Sequence, residues 1–143
     1  VTVNATAFSA QGGGAVEATS RKIGSSGRAF LHWDRAGHWL EYTFSVPAAG
    51  AYRLLLRACT AEAAVLRRIT VNGKVPPVGE AQELAGTGGY SGGEDDWRVF
   101  AIADLEVKPS LLQLAAGEVK VRIENVDGRS LNLNWLALMP VQE

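Results

Sequence analysis

The stretch HWLEYTFSV, residues 38–46, alternates strictly between apolar and polar side chains after its first two positions. Such a period of two is typical of a β-strand with one buried face, because successive side chains of a strand point to opposite sides. This strand is therefore expected to lie with one face on a hydrophobic core. The side chains predicted to point inward are Leu40, Tyr42, Phe44 and Val46.

The same alternation recurs along the chain. Residues 51–58 and 118–126 repeat it, each after an Ala-Ala-Gly turn. Asn72-Gly73 lies between short apolar stretches and predicts a type I′ hairpin turn, since both turn positions require positive φ. Further strands are expected over residues 1–8, 28–33, 97–103 and 131–139.

These elements predict one all-β domain. About eight or nine strands, spaced roughly 8–12 residues apart, are typical of a β-sandwich. Residues 9–27 are expected to form a loop between the first strands. Residues 58–68 are the one helix candidate, and they read equally well as a loop followed by the start of a strand. We therefore predict a single sandwich domain over residues 1–143.

Composition excludes several classes of function. The chain has 143 residues, and 14 basic against 15 acidic side chains give a net charge of −1, so we expect no binding to nucleic acid or to an anionic membrane. No apolar run approaches the roughly 18 residues of a membrane helix. The N-terminus lacks a signal-peptide pattern and is expected to begin a mature or excised domain. Cys59 is the single cysteine, so an internal disulfide is excluded.

Catalytic motifs are weak, and we predict that the chain is not an enzyme. A Gly-x-Ser-x-Gly nucleophile motif does not occur, and His32 and His38 are the two histidines. Paired carboxylates can cleave glycosides, but Glu94, Asp95 and Asp96 are adjacent on a glycine-rich loop. A solvated acidic loop is the favoured interpretation. A calcium-coordinating loop comes next, because calcium prefers oxygen ligands, and a hydrolase comes last.

The aromatic and amide residues are more informative. Tyr90 stands inside the glycine-rich loop without a periodic partner, so packing in a core does not explain it. With His32-Trp33 it could form an aromatic platform for the apolar face of a sugar. Trp39 falls on the polar face of its strand, where packing under a loop is the alternative. Asn132 and Asn134 share one face of the last strand, where they would bond either sugar hydroxyls or other parts of the chain.

A series of short motifs covers nearly the whole sequence. They are Val-Glu-Ala-Thr (16–19), Gly-Ser-Ser-Gly (24–27), Trp-Asp and Gly-His-Trp-Leu-Glu-Tyr (33–42), Val-Pro-Ala-Ala-Gly-x-Tyr (46–52), Val-Asn-Gly (71–73), Thr-Gly-Gly-Tyr (87–90) and Asn-Leu-Asn-Trp-Leu (132–136). In this order and spacing, the chain resembles family 6 carbohydrate-binding modules and the related families 35 and 36.

The resemblance implies a jelly-roll β-sandwich with a galactose-binding-domain-like topology and a cleft at its loop end. Tyr90 would stack on a polysaccharide or oligosaccharide, and a second aromatic position maps to His32 or Trp33. Asn132 would hydrogen-bond sugar hydroxyls, and Trp39 is a further candidate ligand-binding residue. The implied function is non-catalytic binding that targets an attached catalytic domain to polysaccharide, in a secreted or extracellular protein. The alternative is a structural or protein-interaction sandwich without sugar binding.

The resemblance also implies a structural calcium ion. Such a module often holds calcium through glutamates near its N-terminus and an acidic or amide group in its last strand. This chain has Ala5-Thr6 where a module of this kind has Ala-Glu. The candidate metal ligands are therefore Glu17, Thr6 and Asn134.

Overall fold

The computed structural model describes residues 1–76, 82–102 and 110–141. Within these ranges the regular structure consists of strands: β1 (Thr2–Asn4), β2 (Ala10–Gly12), β3 (Glu17–Thr19), β4 (Ala29–Leu31), β5 (Trp39–Val46), β6 (Gly50–Cys59), β7 (Ala64–Val71), β8 (Gln82–Ala85), β9 (Arg98–Ala101), β10 (Leu112–Leu114), β11 (Gly117–Asn125) and β12 (Asn132–Pro140). The described part of the chain contains no helix long and apolar enough to cross a membrane.

The strands form two antiparallel sheets. One sheet has the order β10-β6-β12-β4-β3, with β1 paired to β12 and β9 paired to β6. The other has the order β2-β5-β11-β7-β8. Both sheets contribute buried side chains to one hydrophobic cluster, so that they pack as a sandwich. The predicted all-β sandwich is confirmed.

Alternating side chains build the core between the sheets. In β5 the inward residues Leu40, Tyr42 and Phe44 are buried, and in β11 Val121 lies directly opposite Tyr42. The Tyr42 hydroxyl donates to the backbone oxygen of Ala5 at 2.7 Å, which satisfies the polar end of a buried ring. The hydrophobic period read from the sequence therefore sets which face of each sheet is inside.

The observed elements correct several boundaries. The helix alternative for residues 58–68 is wrong: β6 extends to Cys59 and β7 begins at Ala64, because Val65 and Ile69 face the core with a period of two. The strand predicted over residues 97–103 is β9, and Ala103 lies outside the described residues. The expected loop over residues 9–27 contains the short strands β2 and β3.

The predicted hairpin turn has the expected backbone. Asn72 has a φ of 50° and Gly73 a φ of 78°, which are the left-handed values that a type I′ turn needs. The flanking residues Val71 and Lys74 form an isolated bridge. The Asn-Gly pair therefore ends β7 with a tight turn, and Asn72 exchanges two hydrogen bonds with the Lys120 backbone in β11.

Candidate functional site

An open cleft of about 310 Å³ lies at one end of the sandwich, where β4 ends and β12 begins. Four chain segments meet there: the loop after β3, the end of β4, the glycine-rich loop before β9 and the start of β12 with the loop before it. The lining residues are Lys22, Leu31, His32, Tyr90, Ser130 and Asn132. We call this feature the Tyr90 cleft.

The glycine-rich loop, residues 86–96, is closed by a reciprocal clasp. The Ser91 backbone N–H donates to Asp96 Oδ2 at 3.0 Å, and the Asp96 backbone N–H donates to Ser91 Oγ at 3.0 Å. Ser91 is fully buried and has a φ of 56°, a conformation that costs a non-glycine residue about 1 kcal/mol or more. The clasp therefore holds a strained residue directly after Tyr90. We call residues 86–96 the Tyr90 loop.

Two further contacts fix the backbone around Tyr90. The Asn132 side-chain amide donates to the backbone oxygen of Tyr90 at 3.3 Å. The Ile23 backbone N–H donates to the backbone oxygen of Ser91 at 2.8 Å, and Trp97 Nε1 donates to the oxygen of Ile23 at 2.9 Å. The Tyr90 loop is thus joined to the loop that carries Lys22. The half-buried Tyr90 is held in place by its main chain while it lines the cleft.

Asn132 lies at the base of the cleft and is 2% exposed. It is the first residue of β12 and pairs with Cys59 on β6. Burial raises the pKa of the Cys59 thiol, while hydrogen bonds from Ser91 and Asn132 oppose that rise. Asn132 therefore supports the Tyr90 loop, and little of its side chain reaches the cleft.

His32 lines the cleft as well. Its side chain is 60% exposed, and its Nε2 lies 3.4 Å from Glu17 Oε2. The residue has a φ of 64°, which ends β4 and turns the chain out of the sheet. His32 and Tyr90 thus lie on the same cleft, as the sequence predicted for the two ring positions.

Trp33 lies elsewhere, so the prediction that it contacts a ligand is wrong. Its side chain is fully buried, with the Phe30 ring edge-on at 5.5 Å and the Arg67 guanidinium 4.2 Å from its ring centroid. Its indole N–H donates to the backbone oxygen of His38 at 3.1 Å. A ring covered on all sides by the core cannot also stack on a sugar.

Trp39 is likewise separated from the Tyr90 cleft. It lies in β5, on the outward face of the five-stranded sheet, whereas the strands that border the cleft belong to the other sheet. The Arg122 guanidinium is 3.7 Å from the ring centroid, and the indole packs so closely on Gly12 that a Cβ there would lie 2.7 Å from it. The structure therefore does not bring Trp39 together with Tyr90.

The residues predicted to hold calcium do not form a ligand set. The Glu17 carboxylate faces His32, the Thr6 hydroxyl donates to Asn4 Oδ1 at 2.7 Å, and Asn134 Oδ1 accepts two hydrogen bonds. In the described ranges, no three His, Cys, Asp or Glu side chains come close enough to share a metal ion. The donor set therefore does not fit the expected calcium.

The acidic residues of the Tyr90 loop have structural contacts. Asp96 belongs to the clasp, and Asp95 Oδ1 accepts the Trp97 backbone N–H at 3.1 Å. Asp95 Oδ2 also lies 3.9 Å from Arg57 Nη2, while Glu94 is exposed. Two of the three carboxylates thus stabilise the loop, whereas the sequence favoured a solvated acidic loop, a description that fits the exposed Glu94.

Sequence reasoning missed three lining residues. Lys22 and Ser130 lie in loops, and Leu31 is the last residue of a three-residue strand. Neither hydrophobic period nor motif marks such positions. Lys22 adds a cation to a cleft that already contains an exposed imidazole and a phenol.

Comparisons with known proteins identify the fold. No protein-family model matches the sequence, and no curated protein matches it. Solved structures do: a family 35 carbohydrate-binding module from Clostridium thermocellum has a TM-score of 0.74 at 17% identity, with 99% of each chain covered. A family 6 module of Cellvibrio mixtus lichenase 5A, in complex with cellotriose, has a TM-score of 0.64 at 21% identity, over 99% of this chain and 98% of that one.

A third structure places the same fold inside a larger enzyme. It is the Podospora anserina GH26-CBM35 β-(1,4)-mannanase, with a TM-score of 0.70 at 17% identity. The match covers the whole of this chain and 28% of the mannanase chain. At these identities the likeness establishes the architecture. The chain has the β-sandwich fold of family 35 and family 6 carbohydrate-binding modules.

Proposed function

We propose that this chain is a non-catalytic carbohydrate-binding domain that takes a polysaccharide or oligosaccharide in the Tyr90 cleft. It would bring an attached glycan-active enzyme to its polymer in a secreted or extracellular protein. The observation that carries the proposal is the half-buried Tyr90 ring, presented to an open cleft by a loop that is fixed through its main chain. Such a ring offers a flat apolar surface to the C–H face of a sugar.

The polar groups around the ring suit the same ligand. His32, Lys22 and Ser130 line the same cleft as Tyr90. Hydroxyl groups of a saccharide both donate and accept hydrogen bonds, so each of these side chains has a partner on such a ligand. The held loop also lowers the entropic cost of binding, because little has to be ordered when the ligand arrives.

Glycoside hydrolysis is disfavoured by the placement of the carboxylates. Asp95 and Asp96 accept backbone hydrogen bonds of their own loop, and neither lines the Tyr90 cleft. A glycosidase needs two carboxyl groups on opposite sides of one sugar linkage. We therefore interpret the cleft as a binding site without a reaction.

The alternative is a structural or protein-interaction sandwich. It requires a sealed loop end with Tyr90 packed against the interior. An open cleft lined by Tyr90 and His32 argues against that arrangement. The attachment to an enzyme is supported by the Podospora anserina mannanase, in which a domain of this fold is part of a longer chain.

The test is a glycan array with the isolated chain, followed by calorimetric titration of the best ligand. Stacking that covers about 60 Å² of the Tyr90 ring, at about 25 cal/mol per Å², amounts to about 1.5 kcal/mol, or roughly tenfold in Kd. We expect Tyr90→Ala to weaken binding by about this factor and His32→Ala to weaken it less. Trp39→Ala is the matched control, because it removes an aromatic ring from the other sheet.

Binding that is lost with Trp39→Ala and retained with Tyr90→Ala would move the site to the outer face of the five-stranded sheet. An array on which the wild-type chain binds no glycan would favour the structural alternative. Either result would overturn the proposal.

A further inference from the structure

Two backbone oxygens that precede β4 face the same pair of side-chain amides. Asn134 Nδ2 donates to the oxygen of Ser26 at 2.9 Å and to the oxygen of Arg28 at 3.1 Å. Asn4 Nδ2 donates to the same Arg28 oxygen at 2.7 Å and lies 3.5 Å from that of Ser26. A convergence of carbonyl oxygens is the kind of arrangement that a hard cation would stabilise, and here amide donors occupy it.

The orientation of the Asn134 amide is set by its other partners. Asn134 Oδ1 accepts the Ser26 backbone N–H at 2.9 Å and Arg57 Nη1 at 2.8 Å. Both groups only donate, and the guanidinium keeps its charge. The atom that faces them must therefore be the oxygen, so the Nδ2 hydrogens have to point to the carbonyl oxygens of Ser26 and Arg28.

The Asn4 amide is oriented in the same way. Asn4 Oδ1 accepts the Thr6 backbone N–H at 2.9 Å and the Thr6 hydroxyl at 2.7 Å. The backbone N–H can only donate, so it fixes the oxygen on that side and leaves Nδ2 for the Arg28 carbonyl. Thr6 thus acts on the site through Asn4, although the sequence resemblance places it at a metal-ligand position.

A bulge in β12 puts Asn134 at this point. The pairing of β12 with β6 shifts register between Leu133 and Trp135, so that the backbone of Asn134 has no paired residue on β6. Its backbone oxygen instead accepts the Ala5 N–H at 2.9 Å. Bulges commonly re-aim a side chain, and this one brings the Asn134 amide between β1 and the segment before β4.

We propose that Asn4, Asn134 and Arg57 form a metal-free clasp that joins β1, β12 and the segment before β4 and makes calcium unnecessary. The amide N–H groups of Asn4 and Asn134 satisfy the carbonyl oxygens that a cation would coordinate, and Arg57 donates to Asn134 Oδ1. These N–H groups and the Arg57 charge present positive potential to any cation. None of the clasp residues lines the Tyr90 cleft, and Arg57 is the one of the three that also contacts the Tyr90 loop, 3.9 Å from Asp95.

The test combines the melting temperature with direct metal titration. We expect the wild-type chain to melt at the same temperature in calcium chloride and in chelator, and calorimetry to detect no calcium uptake. Asn134→Asp places a carboxylate oxygen against the two carbonyl oxygens. We expect this variant to melt roughly 5–10 °C lower in chelator and to recover part of the loss when calcium is added.

Asn4→Ala is the milder companion variant, because Asn4 is half-buried whereas Asn134 is fully buried. It is expected to lower the melting temperature by a few degrees in chelator and calcium alike. Calcium uptake by the wild-type chain, or a wild-type melting temperature that rises with calcium, would overturn the proposal. So would unchanged melting temperatures of both Asn4→Ala and Asn134→Asp in chelator.

Discussion

Asp96→Ala tests how the Tyr90 ring is presented, without touching the ring itself. The substitution leaves the buried N–H of Ser91 without its acceptor, and an unsatisfied buried donor costs about 1–3 kcal/mol. It also removes one of the two reciprocal hydrogen bonds that hold Ser91 at its φ of 56°, while the backbone N–H of residue 96 still donates to Ser91 Oγ. Taking about 2 kcal/mol for the loss, the melting temperature of a domain of this size falls by roughly 5 °C.

Saccharide affinity should fall in the same variant. The Asn132 and Ile23 contacts remain, so the Tyr90 loop is loosened rather than released. If the presenting conformation drops to between a third and a tenth of the population, the apparent Kd rises by about three- to tenfold. Calorimetric titration and thermal melting of the same samples measure both effects.

Two controls separate the loss of the Ser91–Asp96 hydrogen bond from the simple removal of a charge. Asp96→Asn keeps an acceptor oxygen of the same reach and should show a smaller loss, because the bond is no longer charge-assisted. Glu94→Ala removes a carboxylate from an exposed position of the same loop and should leave both readouts unchanged. Equal behaviour of Asp96→Ala and Glu94→Ala would refute the reasoning.

Two further predictions concern buried groups. Burial, with Arg35 and Arg67 nearby, lowers the pKa of His38 below its usual value of about 6.5. The unfolded chain therefore binds more protons than the folded chain as the pH drops from about 7 to 5, and the free energy of unfolding falls over this range. His38→Gln should flatten this pH dependence in denaturant titrations. A slope that His38→Gln leaves unchanged would contradict it. Cys59 is fully buried, and burial raises the pKa of its thiol. It should therefore react with a thiol reagent only after unfolding, and rapid reaction of the folded chain would disprove this.

The sandwich could be predicted because its long strands bury one face each. In β5 and β11 the alternation is unbroken, and the two strands pair residue by residue from Trp39 to Val46. The short strands β2, β3, β8 and β10 could not be predicted, since three or four residues are too few to show a period. Their positions depend on pairing with neighbours that are distant in sequence.

Three of the residues that line the cleft, His32, Tyr90 and Asn132, were predicted from the sequence, and the other lining residues were not. Tyr90 stood out because a glycine-rich loop gives an aromatic residue no periodic partner. His32 and Trp33 could not be separated by sequence, since the positive φ of His32 decides which of the two turns inward. The hydrogen-bond partners of Asn134, Ser26 and Arg28, could not be predicted because they are more than 100 residues away in sequence.

The most direct test of the account is an NMR titration of the ¹⁵N-labelled chain with the best glycan from the array. Binding in the Tyr90 cleft predicts that the backbone amide signals of His32, Tyr90, Ser91 and Asn132 shift most, and that Tyr90→Ala raises the glycan concentration needed to produce these shifts about tenfold. Shifts confined to Trp39 and its neighbours on the five-stranded sheet, or identical shifts in the wild-type and Tyr90→Ala chains, would contradict it.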